Sequence, residues 1–288
     1  MFVAARRLYA LLFAAASILS GAAHAHAIAG MRVFPATLSF DDPGVANEFS
    51  AVFGRMRAPG QVQKDLSLDY SKTLTRRFGL SVGGDYLWQI PDAGGAVRGW
   101  DNLALGAQYQ LFVDGPREAI GLLGLGASVG GTGSAAVADA HSTISPEFAF
   151  GKGMGDLPWG LRYLRPFAVT GAVSGDLPVS GPDPDVLNWA FSVQYNLAYL
   201  QDFVRYIGLG RPFSRMIPIV EFPLQTVAGR TTGTINPGVI WLGHYYQIGL
   251  EAQIPVNAAS GSGVGFLLGV DLYLDDLLPH SLGRALWR

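Results

Sequence analysis

The segment from Leu187 to Leu200 alternates between large apolar and small or polar side chains. The large residues are Leu187, Trp189, Phe191, Val193, Tyr195, Leu197 and Tyr199, and the positions between them carry Asn, Ala, Ser or Gln. A period of two places these sets on opposite faces of a β-strand. The run is about twice the ~5–6 residues of a common soluble strand. It suits a tilted strand through a ~30 Å hydrocarbon layer, which needs roughly 9–11 residues, with Trp189 at one interface and Tyr195 and Tyr199 at the other.

The composition agrees with a chain built from such strands. Hydrophobic residues make up 49% and charged residues 15%, against roughly 25% charged in an average soluble domain. No stretch after residue 30 has the ~18 consecutive apolar residues of a transmembrane helix, so a helical membrane protein is excluded. Alternating segments instead predict an all-β fold, a transmembrane antiparallel β-barrel of about 12 strands (10–14). The predicted strands cover residues 48–56, 64–74, 78–90, 100–113, 118–130, 142–151, 165–174, 187–200, 216–226, 233–242, 245–256 and 264–274.

The chain divides into three predicted regions. Residues 1–27 have the features of a cleaved secretory signal peptide: Arg6 and Arg7, an apolar run, and Ala25-His26-Ala27 as the cleavage site. An uncleaved anchor is the alternative, but its apolar run is short for a membrane span. Residues 28–47 are predicted to be a periplasmic lead-in, and residues 48–288 an outer-membrane β-barrel with a short C-terminal tail. The predicted location is the outer membrane of a Gram-negative bacterium.

Charge and cysteine content exclude several classes of function. The chain has 20 basic and 22 acidic residues, and without its signal peptide it is more acidic still, so no nucleic-acid partner is expected. The absence of Cys excludes disulfides, thiol catalysis and Cys-ligated metals. The acidic pairs Asp41-Asp42 and Asp275-Asp276 stand beside turns, where solvated carboxylates are expected rather than metal ligands. No cofactor is predicted.

On the predicted strands, the alternate positions that face the lumen carry acidic residues and almost no Lys or Arg. These lumen-lining candidates are Asp65, Asp69, Asp85, Glu147, Glu221, Glu251 and Asp271. Carboxylates around a narrow water-filled lumen concentrate cations and repel anions, which predicts a channel for cations or neutral solutes. In the alternative, each acid bonds a Tyr, Gln or Asn across the lumen and closes it. Ile120 and Leu122 are exceptions, since they are apolar at positions where the alternation of their strand predicts polar, lumen-facing residues.

An enzyme is the hypothesis from a different class, because a barrel can carry a Ser and a His for lipid chemistry. The candidates in the mature chain are His141, His244 and His280. Two of them precede a serine, Ser142 or Ser281, but adjacent side chains on a strand point to opposite faces. Neither pair makes a nucleophile and base alone, so the chain is not expected to be an enzyme.

Several segments carry a family resemblance. They are RVFPATLSFDDPGVANEF (Arg32 to Phe49), DYSKTLT (Asp69 to Thr75), FGKGMGDLP (Phe150 to Pro158), LRPFAVTG (Leu164 to Gly171), NPGVIW (Asn236 to Trp241) and LDDLLPHSLGRALW (Leu274 to Trp287). Together they resemble a family of uncharacterised proteobacterial outer-membrane β-barrels labelled as transporters, near the meta-pathway-of-phenol-degradation channel family.

The resemblance implies an outer-membrane channel that passes small solutes, hydrophobic or aromatic compounds among them. It brings no catalytic residues. The partners expected for such a barrel are outer-membrane lipid and lipopolysaccharide, the outer-membrane assembly machinery and a small-molecule solute. A structural or adhesive barrel with a closed lumen is the alternative function.

Overall fold

The computed structural model describes residues 27–287, so the predicted signal peptide lies, apart from Ala27, outside the described residues. The chain begins with a hairpin of two short strands, β1 (Ala27–Ala29) and β2 (Arg32–Phe34). The longer strands are β3 (Glu48–Ala58), β4 (Gln61–Thr73), β5 (Phe78–Pro91), β6 (Val97–Trp100), β7 (Leu103–Asp114), β8 (Ala119–Val129), β9 (Thr143–Gly153), β10 (Phe167–Pro178), β11 (Val186–Tyr195), β12 (Met216–Val227), β13 (Arg230–Leu242), β14 (Tyr246–Pro255) and β15 (Gly265–Tyr273).

The helical elements are short. They are 3-10 helices at Trp159–Leu164 and Phe213–Arg215, α1 (Leu197–Tyr199), which continues into a π-helical turn at Leu200–Val204, and α2 (Leu274–Leu277). Between residues 27 and 287, no helix is both long and apolar enough to cross a membrane.

Twelve of the strands close into an antiparallel barrel, which confirms the predicted fold class. β3 to β15 pair in chain order, except that the short β6 pairs only with the end of β5, so that β5 also pairs with β7. β15 returns to β3, with Val270 opposite Ala51. Closure leaves no free edge among the twelve barrel strands, as strands in a hydrocarbon layer require. Each of the twelve predicted segments overlaps one barrel strand, with ends displaced by a few residues.

The outer face of the barrel is apolar along its height. Outward side chains such as Leu105, Leu125 and Leu250 are exposed on this face, whereas the residues between them face the lumen. Aromatic pairs lie toward both ends of the barrel, for example Tyr86 with Trp100 at 5.3 Å and Phe167 with Tyr195 at 4.7 Å between ring centroids. This is the distribution expected for a barrel between two membrane interfaces.

Two predicted strand ends are wrong for identifiable reasons. β11 stops at Tyr195 because Asn196 caps α1, its Oδ1 accepting the Tyr199 backbone N–H at 2.9 Å. Tyr199 therefore turns inward and is 4% exposed, so the prediction that it anchors the lipid interface was wrong. The predicted strand 100–113 is divided at Asn102, whose Oδ1 accepts the backbone N–H groups of Thr132 and Gly133 in the loop after β8.

The N-terminal segment, residues 27–47, lies inside the barrel. Three apolar clusters join it to the wall: Phe34 with Ile120 and Ala168, Leu38 with Ile219, Ile240 and Leu267, and Phe40 and Val45 with Leu122, Ala149 and Ala172. The inward apolar residues Ile120 and Leu122 thus face this segment rather than water. The lead-in predicted for residues 28–47 does not stay outside the barrel but fills the half of the lumen nearer the chain termini.

The C-terminal tail packs across the same end of the barrel. Asp275 is 5% exposed and accepts hydrogen bonds from the backbone N–H and side-chain amide of Asn47. The tail then reaches β4, where the backbone N–H of Trp287 donates to the Leu74 carbonyl at 2.8 Å. The prediction that Asp275 is solvated was wrong, because the Asn47 amide gives this carboxylate a buried partner.

Candidate functional site

A cavity of about 550 Å³ occupies the half of the lumen farther from the chain termini. Its floor is the stretch of the N-terminal segment from Ser39 to Asp41. Its walls are inward-facing residues of small volume, which in chain order are Ser81, Ala104, Gly106, Gly124, Gly126, Ser128, Ser145, Ala172, Ser174 and Ala190. Small side chains leave open the space that larger residues would fill in a barrel of this width.

Four carboxylates line this cavity. Asp69 and Glu147 come from the predicted set, and Asp41 and Asp176 join them. Asp176 accepts hydrogen bonds of 2.7 Å from the Ser145 hydroxyl and from the side-chain amide of Asn188. The sequence reasoning missed it because the predicted strand ended at residue 174, although the alternation continues to Asp176.

A smaller chamber of about 90 Å³ lies beside the floor of the cavity. Five carboxyl groups line it, those of Asp41, Asp42, Glu48, Asp69 and Asp271. Of the residues the structure describes, no Lys or Arg lines either space. In their ionised form, carboxylates gathered in a cleft with low-dielectric walls reinforce one another's potential and attract cations. Across residues 27–287, no group of three or more His, Cys, Asp or Glu side chains is arranged to hold a metal ion.

The seven predicted acids fall into separate groups. Asp69 and Glu147 line the cavity and Asp271 lines the chamber. Asp65 and Asp85 lie on neighbouring strands nearer the far end, and Asp65 packs over the bare Cα of Gly54. Glu221 and Glu251 are 0% and 1% exposed beneath the N-terminal segment.

A clasp of three residues, Arg32, Glu118 and Tyr199, holds the N-terminal segment at the end nearer the termini. Arg32 is fully buried and donates to Glu118 Oε2 at 3.1 Å, to the Pro166 carbonyl at 3.0 Å and to the carbonyl of Arg165. Its guanidinium lies 4.1 Å from the centre of the Tyr199 ring. The Tyr199 hydroxyl donates to Glu118 Oε1 at 2.8 Å.

The clasp is electrostatically complete. Burial lowers the pKa of Arg32, and the Glu118 carboxylate acts in the opposite direction, so the guanidinium stays charged. Burial and the bond to Glu118 raise the pKa of Tyr199 to about 12, which keeps its hydroxyl a donor. Glu118 also holds a left-handed backbone conformation, with φ of 48°, uncommon without a constraining environment. The sequence reasoning missed this clasp because its three members lie far apart in the chain.

His141 and the adjacent Ser142 contact different groups. His141 Nδ1 lies 3.8 Å from an exposed carboxylate, Asp183 Oδ2. The Ser142 hydroxyl instead accepts the backbone N–H of Gly130 at 3.0 Å. His244 packs edge-on against Tyr245 in a turn, with 4.4 Å between ring centroids.

Comparison with known proteins shows the fold. No protein-family model and no curated protein matches this chain. Among solved structures it is similar to the NanC porin, at 9% identity over 78% of this chain and 98% of that one, with a TM-score of 0.50. It is also similar to an outer membrane channel from Pseudomonas putida F1, at 13% identity over 84% and 99% of the two chains, with a TM-score of 0.50. The chain therefore has the fold of outer-membrane β-barrels.

Proposed function

We propose that the protein passes small solutes across the outer membrane of a Gram-negative bacterium. The observation that carries this proposal is the cavity of about 550 Å³ inside a closed barrel. Its volume lies in the ~300–1,000 Å³ range of small-molecule sites. The barrels with the same fold include a porin and an outer membrane channel, which supports passage as the role.

Cations and neutral molecules are the solutes that this lumen favours. Asp41, Asp69, Glu147 and Asp176 face the cavity without a basic residue beside them. The side chain of Phe40 adds an aromatic surface at the floor, which suits the hydrophobic or aromatic compounds implied by the family resemblance. An anion would meet only like charge, which opposes its entry.

Planar-bilayer recording of the refolded mature chain in asymmetric KCl tests this selectivity. We expect discrete current steps with a reversal potential that indicates preference for K⁺ over Cl⁻. The triple variant Asp69→Asn, Glu147→Gln, Asp176→Asn should lower the permeability ratio by about threefold or more, because it removes three of the four carboxyl groups that line the cavity.

Asp92→Asn is the matched control for that experiment. Asp92 lies outside the cavity and pairs with Arg57 at 2.7 Å, where both side chains are about half exposed. This variant should keep the wild-type ratio. Anion preference of the wild-type chain, or an unchanged ratio in the triple variant, would contradict the proposed role of the lumen acids.

A closed structural or adhesive barrel is the second candidate, and the Arg32 clasp favours it. The N-terminal segment fills half of the lumen and is held there by a buried ion pair and three apolar clusters. A folded barrel that gives no current under any voltage would support this candidate over passage.

We further propose that the chain is not an enzyme and that its partners are outer-membrane lipid and the assembly machinery. The support is that Ser142 and His141 are engaged with different groups, Gly130 and Asp183. Phospholipase and lipid-deacylase assays should give the same background signal for the wild-type chain and for His141→Ala. A signal that His141→Ala abolishes would contradict this expectation.

A further inference from the structure

An exposed patch of aromatic, apolar and basic side chains lies at the end of the barrel nearer the chain termini. Two connections between strands form it, residues 154–166 and residues 196–215. Its large apolar and aromatic side chains, between 42% and 79% exposed, are Trp159, Leu161, Tyr163, Leu164, Phe203 and Tyr206. We call these six residues, together with Arg162 and Arg205, the rim patch. A large exposed apolar surface edged by charge marks a site of contact with a protein or a membrane.

The rim patch lies against the outer wall of the barrel. The side chain of Tyr195, at an outward position of β11, donates from its hydroxyl to the Tyr163 carbonyl at 3.4 Å. The Tyr195 ring also packs on Phe167, with 4.7 Å between ring centroids. The 3-10 helix Trp159–Leu164 is therefore fastened to an aromatic pair of the kind that lines the membrane interface of a barrel. This position is at the level of lipid headgroups, in the leaflet nearer the chain termini.

Two guanidinium groups converge on Tyr163. Arg205 Nη1 donates to the Tyr163 hydroxyl at 3.2 Å, and the Arg162 guanidinium lies 4.8 Å from the centre of the Tyr163 ring. Hydrogen bonds from Arg205 and Arg162 lower the pKa of the Tyr163 hydroxyl. Arg162 also lies 5.5 Å from the centre of the Trp159 ring. Contacts with aromatic rings and a hydroxyl orient both cations without neutralising them.

Neither of these arginines has a carboxylate partner. In the part of the chain that the structure describes, no salt bridge includes Arg162 or Arg205. Two positive charges held beside one hydroxyl repel each other, so an anion between them is favoured. The guanidinium group suits phosphate in particular, because its planar set of donors can bind two phosphate oxygens at once.

We propose that the rim patch binds the phosphate group of an anionic phospholipid. The position at headgroup level selects a lipid over a soluble anion, and the two unpaired arginines select a net negative headgroup over a zwitterionic one, which brings a cation of its own. The acyl chains of this lipid lie along the outer wall, where outward residues of β11 such as Val193 are exposed. Basic pockets at a membrane surface bind anionic headgroups by the same attraction.

The bound lipid also steadies the clasp at the same end of the barrel. The connection that carries Arg162 supplies the Arg165 and Pro166 carbonyls, which accept hydrogen bonds from Arg32. A lipid held by Arg162 therefore limits the movement of the connection that receives Arg32. This inference rests on the proposed membrane location and not on passage of solutes, so its failure would leave the conduction experiment unaffected.

The test is thermal unfolding of the refolded mature chain in dodecyl maltoside micelles that contain either phosphatidylglycerol or phosphatidylcholine. Both lipids carry a phosphodiester, but only phosphatidylglycerol has a net negative charge. We expect a higher unfolding midpoint with phosphatidylglycerol, because a ligand that binds only the folded state stabilises it. Native mass spectrometry should detect phosphatidylglycerol bound to the folded barrel.

The double variant Arg162→Gln, Arg205→Gln should remove the midpoint difference between the two lipids. It should weaken phosphatidylglycerol binding at least about tenfold, because each arginine near an anionic headgroup adds to the attraction. Arg205→Gln alone should remove part of the difference and serves if the double variant does not fold. The matched control is Arg98→Gln, Arg230→Gln, which removes two exposed charges at the other end of the barrel and should keep the difference.

Three outcomes would overturn the proposal. Equal midpoints of the wild-type chain in the two lipids would favour another protein as the partner of the rim patch. An equal stabilisation by inorganic phosphate in lipid-free micelles would indicate a site for a soluble anion. An unchanged midpoint difference in the double variant would place the lipid elsewhere on the barrel.

Discussion

A disulfide between cysteines introduced by Leu38→Cys and Gly249→Cys is expected to abolish ion conduction, and its reduction to restore it. Leu38 packs against the wall immediately before the floor of the cavity, and a Cβ built on Gly249 would lie 3.2 Å from Leu38 Cγ. The two introduced Cβ atoms therefore fall near the ~3.5–4.5 Å separation that a disulfide requires. The native chain has no Cys, so no other disulfide competes.

Current is expected to stop because residues 27–47 fill the lumen between the cavity and the end of the barrel nearer the chain termini. A solute that crosses the barrel must displace part of this segment. The introduced disulfide fixes the N-terminal segment in the position where three apolar clusters already hold it. Single-channel current should fall at least about tenfold on oxidation, because cross-linking removes the displaced conformations from the ensemble.

Three comparisons test whether the introduced disulfide stops conduction by holding the N-terminal segment in place. The single variants Leu38→Cys and Gly249→Cys should respond to neither oxidant nor reductant. Equal current before and after reduction of the double variant would mean that solutes take a route that needs no movement of Leu38. Silence in both states, together with silence of the wild-type chain, would favour the closed structural barrel.

The barrel was predictable because large apolar residues alternate with small or polar residues within each strand, so that each strand can be identified from its own sequence. In β11 the outward Trp189, Phe191 and Val193 and the inward Ala190 and Ser192 obey a local rule that needs no distant contact. The twelve-strand count and the closure followed from repeating that rule along the chain. Strand ends were less accurate because side-chain caps decide them, as Asn196 does.

The position of the N-terminal segment was not predictable from its own residues. Pro35, Pro43 and the turns around them give residues 28–47 no periodicity, and their partners lie far away in sequence, as the bond between Arg32 and Glu118 illustrates. A signal existed elsewhere, since Ile120 and Leu122 are apolar at inward positions. Apolar residues facing a polar lumen indicate that something packs there, which in this chain is Phe34 and Phe40.

The candidate site was predictable in part for the same reason. Parity alone placed Asp69 and Glu147 on the inward face, where they line the cavity. It could not show that Glu221 would be covered by Leu38 and Ser39, because that contact joins a strand to a segment without a pattern.

Arg32→Met is expected to lower the free energy of unfolding of the refolded barrel by about 3–5 kcal/mol, the usual cost of breaking one half of a buried ion pair. The substitution keeps an apolar stem but leaves Glu118 buried with one neutral donor, the Tyr199 hydroxyl, and one backbone N–H, that of Gly155. It also leaves the carbonyl of Pro166 without its Arg32 donor. Urea unfolding in detergent, followed by tryptophan fluorescence, measures the loss.

Arg57→Met is a closely matched control, because it makes the same substitution in an ion pair of similar length. Arg57 lies 2.7 Å from Asp92, with side chains 48% and 50% exposed, whereas the Arg32 and Glu118 side chains are 1% and 5% exposed at 3.0 Å. Exposed pairs are worth only about 0–1 kcal/mol, so Arg57→Met should change stability little. Equal effects of the two variants would mean that burial does not set the strength of the clasp.

Proteolysis of the N-terminal segment separates loss of the clasp from general weakening of the barrel. Arg32 contacts Glu118, Pro166 and Tyr199, and so joins the β1–β2 hairpin to three different connections between barrel strands. In Arg32→Met, cleavage within residues 28–47 should accelerate while the barrel strands stay protected, because only the contacts of the segment are lost. Glu118→Gln should give a smaller acceleration, since its amide oxygen can still accept from Arg32. Protection of the segment equal to wild type in both variants would show that the apolar clusters alone hold it in the lumen.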